Sequence, residues 1–97
     1  MPTHEELASF WRDWDLLTPE QQRRFRDAAA KFVEDLAAGR GFRAGLRVKG
    51  VQGAARIYEM TWAQNGRATF AYGQSIVGGE PHIVWRRIGT HDILGRP

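Results

Sequence analysis

The side chains of this sequence that could act together on a phosphodiester are arginine, lysine, glutamate and histidine, most of them in its second half. Cleavage of an RNA strand needs a base for the 2′-hydroxyl proton, positive charge for the phosphorane, and an acid for the leaving 5′-oxygen. Arginine and lysine can hold the phosphate, while histidine and glutamate can exchange protons. The candidates are Arg47, Lys49, Glu59, Arg67, Arg86, Arg87 and His91. This set is sufficient for transesterification without a metal or another cofactor.

Each candidate also has a plain structural interpretation. Arg47 and Lys49 are two residues apart, a spacing that fits solvent-facing strand positions as well as phosphate contacts. Glu59 could pair with a neighbouring arginine instead of acting as a base. His91 lies near a glycine in a basic segment and titrates near neutral pH, which favours a role in proton transfer. His82 begins an apolar run, so we assign it to the structure and not to the chemistry.

The patterns of other common sites are missing from the sequence. It contains three histidines and no cysteine, and no two histidines have the spacing of a metal site on a helix or hairpin. The glycines mark turns and do not form a phosphate-binding loop. No apolar segment approaches the ~20 residues of a membrane span, and the N-terminal segment is too acidic and polar for a secretory signal. We therefore expect a cytoplasmic protein with no membrane partner and no small-molecule cofactor.

Charge is distributed unevenly along the 97 residues, whose net charge is +3. Residues 1–38 contain five Lys/Arg and eight Asp/Glu, a net of −3, whereas residues 39–97 contain nine and three, a net of +6. Eight of those nine cations are arginine, the residue best suited to bidentate phosphate contacts. A basic surface attracts polyanions, which points to a nucleic acid as the partner.

The first half of the sequence predicts two amphipathic helices. Thr3 and the glutamate three residues later have the spacing of a capping box, and the apolar period that follows predicts a helix near residues 4–16. Thr18 with the next proline is a typical N-cap, and Gly39 is a typical stop, so a second helix is predicted over 19–38. Their aromatic residues are assigned to the core: Phe10, Trp11, Trp14, Phe25 and Phe32.

The second half predicts four strands, because apolar and polar residues alternate there. The segments are 46–49, 58–62, 69–72 and 82–85. The chain is therefore predicted to be α+β, with two N-terminal helices packed on one face of a small, about four-stranded antiparallel sheet. We expect a single domain over residues 1–97. The polar face of the sheet should carry Arg47, Lys49, Glu59 and Arg67, and the last strand should add Arg86 or Arg87.

The hairpin between the second and third predicted strands can close in two ways. A two-residue turn at Asn65-Gly66 would set Trp62 opposite Thr69, which pairs an apolar with a polar residue. A three-residue loop ending in a left-handed glycine would set Met60 opposite Phe70 instead. We favour the three-residue loop. It also collects four polar residues on the face away from the helices: Glu59, Thr61, Arg67 and Thr69.

The order of these segments resembles that of toxins of the RelE/ParE superfamily, and of RelE/YoeB-type mRNA interferases in particular. The similarity lies in the strand segments 45–50, 57–60 and 66–70 and in the final segment 85–93, which bears arginine and histidine. It covers about residues 18–95. Residues 1–17 would then be an addition to the core fold or an extended first element.

The resemblance implies a toxin that cleaves mRNA in the ribosomal A site, through attack of the 2′-hydroxyl on the adjacent phosphate. Arg67 matches the arginine that contacts the scissile phosphate in the family, and His91 matches the general acid of YoeB-like members. Arg47 and Lys49 match the basic strand that holds the RNA backbone in RelE-like members. Glu59 is the candidate base, although the carboxylate of YoeB-like relatives lies earlier in the chain.

The resemblance also implies a partner, a cognate antitoxin whose amphipathic segment covers the toxin and blocks its site. Two other functions stay open on the same fold: inhibition of DNA gyrase, as in ParE-like members, and non-catalytic binding of RNA or protein. His91 weighs against gyrase inhibition, which needs no proton donor. Many relatives have a tyrosine where this sequence has Asp92-Ile93, so the alternative of a non-catalytic binding domain stays open.

Overall fold

Five strands form one mixed sheet in the computed structural model, which describes residues 1–97. The elements are β1 (Thr3–Glu6), α1 (Ala8–Trp14), α2 (Pro19–Ala38), β2 (Lys49–Gly50), β3 (Tyr58–Ala63), β4 (Gly66–Gly73) and β5 (His82–Thr90). Short 3₁₀ turns lie at Ala44–Leu46 and His91–Gly95. The strand order is β1-β5-β4-β3-β2, in which only the β1–β5 pair is parallel. An α+β protein is thus confirmed, but the prediction of four strands, all antiparallel, is wrong.

The chain begins with a strand and not with the helix predicted near residues 4–16. Residues 3–6 pair in parallel with the first half of β5, and α1 starts only at Ala8. Thr3 does not cap a helix, because its hydroxyl is hydrogen-bonded to Nδ1 of the buried His82 at 2.7 Å. The edge of β5 offers backbone partners that satisfy this segment as fully as a helical turn would. Local spacing therefore predicted the wrong element.

Helix α2 has the boundaries that its capping residues predict. The Thr18 hydroxyl accepts a hydrogen bond from the Gln21 backbone N–H at 3.1 Å, and the Gln21 side chain accepts one from the Thr18 N–H at 2.9 Å. Pro19 occupies the first turn, where no backbone donor is needed. Gly39 ends the helix with φ 69°, a left-handed conformation that glycine adopts without strain.

Both helices pack on the same face of the sheet, around an aromatic core. Phe32 of α2 is fully buried, and its ring centroid lies 4.9 Å from that of Phe70 on β4 and 5.3 Å from that of Trp85 on β5. The aromatic residues predicted as core lie there, except that Trp11 is 48% exposed. Neither helix is both long and apolar enough to cross a lipid bilayer. The opposite face of the sheet is left for polar side chains.

The β3–β4 hairpin has neither of the two predicted registers. Its turn is Gln64-Asn65, and Met60 lies opposite Ala68 and not opposite Phe70. A bulge at Trp62 absorbs the difference, and Gly66 makes room for its indole, since a Cβ there would come within 2.6 Å of the ring. The favoured register is wrong by two residues. A shift of two keeps every side chain on its face, so the predicted polar face of the hairpin is confirmed.

Most of the strand predicted over residues 46–49 is absent. Leu46 closes a 3₁₀ turn that buries its side chain in the core, and Arg47 follows with φ 48°, in the left-handed region. Only Lys49 and Gly50 pair with β3. The prediction that Arg47 and Lys49 share one strand face is therefore wrong, because burial of Leu46 turns the backbone between them.

Candidate functional site

Three of the candidate residues line one open cleft of about 420 Å³ on the polar side of the sheet. These are Lys49 of β2, Glu59 of β3 and His91 of the 3₁₀ turn after β5. Lys49 and Glu59 lie directly opposite each other on neighbouring strands. The His91 backbone N–H donates to the carbonyl of Asn65 at 3.0 Å, which ties the C-terminal turn to the β3–β4 hairpin. Residues far apart in the chain thus meet at one surface.

The polar face is organised as a row of directly opposed residues across four strands. Lys49 of β2 opposes Glu59 of β3, Glu59 opposes Thr69 of β4, and Thr69 opposes Arg87 of β5. Neighbouring strands are about 4.8 Å apart, so the row spans roughly 15 Å. Positive side chains stand at both ends and the carboxylate stands between them. Such a row could follow the backbone of an extended polyanion.

Glu59 is the most buried charged residue of the face, with 5% of its surface exposed. Burial of a carboxylate is costly unless an opposite charge compensates it. Here the Arg67 Nε lies 3.8 Å from the Glu59 Oε1, and Lys49 is its cross-strand neighbour. These two cations compensate the charge of the buried carboxylate and hold it at the edge of the cleft.

Arg67 is held in place by its own hairpin. Its Nη1 donates to the Gly66 carbonyl at 2.9 Å and to the Gln64 carbonyl at 3.4 Å. Its Nε faces Glu59, as described above. The guanidinium therefore closes the turn while it stands beside the cleft, and a structural role accounts for part of its donors.

His91 is exposed, and no hydrogen bond or ion pair restrains its side chain. The imidazole is therefore free to reach toward a ligand in the cleft. His82 differs completely: it is 3% exposed, its Nδ1 pairs with the Thr3 hydroxyl, and its Nε2 lies 3.1 Å from Glu5 Oε1. The assignment of His82 to the structure agrees with these contacts, which join β1 to β5.

The three other candidate arginines lie outside the cleft. Arg47 lines a separate groove between α2 and β3, which it shares with Lys31 and Trp62. Arg86 donates from Nε to the main-chain oxygen of Pro97 at 3.1 Å. Arg87 donates from Nε and Nη2 to the carboxylate of Asp13 at 2.6 and 3.1 Å.

Two polar residues that shape this face are not among the predicted site residues. The sequence pattern places Thr69 on the polar face, and the structure buries it fully at the centre of the cross-strand row, a position that a strand threonine does not signal by itself. Asp13 orients Arg87 from α1, and its hydrogen bonds raise the pKa of the Arg87 guanidinium above its ordinary value. No local pattern connects Asp13 and Arg87, because 74 residues separate them. No three His, Cys, Asp or Glu side chains are grouped as a metal site.

Several solved toxin structures share this architecture along nearly the whole chain. The E. coli DinJ-YafQ toxin-antitoxin complex matches with a TM-score of 0.64 and 14% identity, over 96% of each chain. The RelB-RelE antitoxin-toxin complex from Methanococcus jannaschii matches with 0.59 and 16%, over 93% of each chain. The fold is that of RelE/ParE toxins.

A third example is the YoeB/ParE toxin from Agrobacterium tumefaciens, with a TM-score of 0.63 and 13% identity over 92% of this chain and 98% of that one. No protein-family model matches the sequence, and the comparison with curated proteins also gives no match. The predicted RelE-like fold is thus confirmed by three-dimensional similarity alone. At these identities, the likeness concerns the fold and not the chemistry.

Proposed function

We propose that this protein is the toxin of a toxin–antitoxin pair and acts as a ribosome-dependent mRNA endoribonuclease. One observation carries the proposal: Lys49, Glu59 and His91 line a single open cleft, and Arg67 lies beside Glu59. These are the residue types that RNA transesterification needs, on a fold shared with the YafQ, RelE and YoeB toxins. The proposed place of action is the cytoplasm.

In the proposed mechanism, the Glu59 carboxylate takes the proton from the 2′-hydroxyl of the bound RNA. The 2′-oxygen then forms a bond to phosphorus, while Lys49 and Arg67 stabilise the charge of the phosphorane. The bond from phosphorus to the 5′-oxygen breaks, and a protonated His91 gives its proton to that oxygen. The products are a 2′,3′-cyclic phosphate and a 5′-hydroxyl end. Each positioned acid or base of this kind contributes typically about 10²–10⁴-fold in rate.

The proposed dependence on the ribosome follows from the openness of the cleft. Its acid, His91, is exposed and unrestrained, so the free protein does not hold the reacting groups in a fixed geometry. Orientation of the substrate contributes much of a typical enzymatic rate. We propose that mRNA in the ribosomal A site is presented in the geometry that the toxin alone cannot impose. A cognate antitoxin is the proposed second partner, by analogy with the two complexes described above.

The test is primer extension on an mRNA in a reconstituted bacterial translation reaction, with and without ribosomes. Wild type should produce new 5′ ends within the reading frame only when ribosomes are present. Glu59→Gln and His91→Ala should each lower the yield of these ends by about 100-fold. Asp92→Ala is the matched control, because it removes an exposed side chain next to His91 and should cleave like wild type. If His91→Ala cleaves as much mRNA as wild type, His91 has no role in the mechanism. If wild type produces no new 5′ ends, the proposed function is wrong.

A second candidate function, inhibition of DNA gyrase without RNA cleavage, is favoured by one contact. Arg67 directs its Nη1 at the carbonyls of its own hairpin, which leaves fewer donors for a scissile phosphate. A gyrase supercoiling assay distinguishes the two functions. Inhibition by wild type and by His91→Ala alike, with intact mRNA, would support gyrase as the target.

A further inference from the structure

The cleft is also lined by two side chains that the proposed mechanism does not use, Gln52 and Leu94. The charged and titratable residues of the cleft suit the sugar and the phosphate of a bound RNA, and they leave its bases without a partner. Gln52 carries the one side-chain amide of the cleft. This amide is exposed and makes no hydrogen bond within the protein. Its N–H donors and its carbonyl acceptor are therefore available to a ligand.

Gln52 is held in place by a tight turn that follows β2. The Val51 carbonyl accepts a hydrogen bond from the Ala54 N–H at 3.2 Å, and the Val51 N–H donates to the Ile57 carbonyl at 2.8 Å. Gly53 has φ 81°, the left-handed conformation that the third position of a type II turn requires. Val51 is buried, which anchors the turn in the core. The backbone of Gln52 is thus fixed at the wall of the cleft.

Leu94 gives the same cleft an apolar surface. In a 3₁₀ turn, side chains three residues apart lie one above the other. His91 and Leu94 have this spacing within the turn His91–Gly95, and both line the cleft. A nucleobase needs an apolar contact for the face of its ring and hydrogen-bond partners for its edge. Leu94 can pack on the face, and the Gln52 amide can pair with the edge.

The position of Gln52 in the chain places such a base beside the reacting groups. The Cα atoms of Lys49 and Gln52 are at most roughly 11 Å apart, because three residues of extended chain span no more than that. Lys49 lies directly opposite Glu59 on the neighbouring strand. A nucleotide with its 2′-hydroxyl at Glu59 would therefore bring a base next to the cleaved bond to Gln52. The cleft volume of about 420 Å³ lies in the usual range for small-ligand sites.

We propose that Gln52 determines which base lies beside the cleaved bond, and that the preferred base is adenine. The inference rests on the proposed function for the reaction, but the binding of the base can be measured without it. Adenine presents the N7 acceptor next to the N6 amino donor, and a glutamine amide pairs with both at once. Guanine presents two acceptors on that edge, and pyrimidines have no N7. The edge is accessible in a single strand, where the base is not covered by a partner strand.

The first experiment measures binding to the free protein, with four single-stranded trideoxynucleotides that differ only in the central base: adenine, guanine, cytosine or thymine. These probes lack the 2′-hydroxyl, so they bind without being cleaved. NMR follows the side-chain amide signals of Gln52. We expect the adenine probe to bind about tenfold more tightly than the other three and to shift these signals. Gln52→Leu should bind all four probes equally, whereas Gln74→Leu, which changes an exposed glutamine outside the cleft, should keep the preference.

The second experiment maps the cut sites in the translation reaction with ribosomes. Wild type should cut next to adenine about tenfold more often than next to each other base, and the cuts made by Gln52→Leu should show no such preference. Gln52→Glu exchanges the N–H donors for a second acceptor, which suits the N4 amino group of cytosine. The preferred base of this variant should therefore change from adenine to cytosine.

The two experiments separate this inference from the proposed function. An adenine preference that survives Gln52→Leu, or that is absent from wild type, overturns the inference. If mRNA is cut with no dependence on Gln52, the proposed function stands and the inference is wrong. If mRNA is not cut but the trideoxynucleotides show an adenine preference that depends on Gln52, the base site stands and the proposed function is wrong.

Discussion

Replacement of Asp13 by alanine removes the carboxylate that joins α1 to β5. This carboxylate accepts hydrogen bonds from Arg87 Nε and Nη2 and from the Ile88 N–H. Loss of one partner of a fully buried ion pair costs about 3–5 kcal/mol, and one hydrogen bond to a charged group contributes about 1.5–3 kcal/mol. The side chains of Asp13 and Arg87 are 15% and 28% exposed, so water takes over part of the lost contacts. We expect the free energy of unfolding to fall by about 2–3 kcal/mol.

Urea denaturation followed by circular dichroism measures this change as a lower midpoint with an unchanged slope. For a domain of this size, the melting temperature should fall by roughly 10–20 °C. Asp15→Ala is the matched control, since its side chain makes no hydrogen bond or ion pair and the substitution should cost less than about 0.5 kcal/mol.

A double-mutant cycle of Asp13→Ala with Arg87→Ala isolates the pair. We expect the sum of the losses in unfolding free energy of the two single variants to exceed the loss in the double variant by at least about 1.5 kcal/mol. Additive losses, or a loss for Asp13→Ala no larger than that for Asp15→Ala, would refute the assignment of this ion pair as the link between α1 and β5.

Three other perturbations have outcomes set by local geometry. Gly66→Ala places a Cβ within 2.6 Å of the Trp62 indole and should lower the free energy of unfolding by about 1–3 kcal/mol. Gly78→Ala is the control, because its Cβ meets no atom within 4 Å and the free energy of unfolding should not change. Equal melting temperatures of the two variants would contradict this prediction. Thr18→Ala removes the N-cap of α2 and should cost about 1 kcal/mol in urea denaturation, so an unchanged midpoint would count against it. Hydrogen bonds from Arg43 lower the pKa of Asp35 from 3.8 to about 2, so the contribution of the Asp35 carboxylate to stability is complete above pH 4 and disappears as the pH falls through 2. Asp35→Asn should remove that part of the dependence of stability on acid pH. Identical acid unfolding curves of wild type and Asp35→Asn would refute this prediction.

Helix α2 shows where sequence alone suffices. Its start and its end each depend on groups within four residues, the reciprocal hydrogen bonds of Thr18 with Gln21 and the left-handed Gly39. The same holds for the polar face of the β3–β4 hairpin. Because side chains alternate with a period of two, the face was predicted correctly even though the register was not.

The N-terminal segment shows where local reasoning fails. Thr3 has the spacing of a helix cap, but its hydroxyl and backbone are satisfied by His82 and its neighbours, 79 residues away. Arg47 was misplaced for a related reason. Polar and apolar residues do alternate around Arg47 as in a strand, but the burial of Leu46 in the core turns the backbone out of the sheet at this point.

The sequence determined some properties of the candidate site, and the tertiary structure determined the others. The sequence by itself determined which residue types are available, because the chemistry of Lys49, Glu59 and His91 belongs to their side chains. Tertiary structure alone decided that these three line one cleft, that Asp13 pairs with Arg87, and that Thr69 donates a hydrogen bond to the main-chain oxygen of Pro97. Such contacts, between residues 28 and 74 positions apart, leave no periodic or capping signal, since they depend on strand order and on a bulge in β5. Those features follow from packing the whole chain at once.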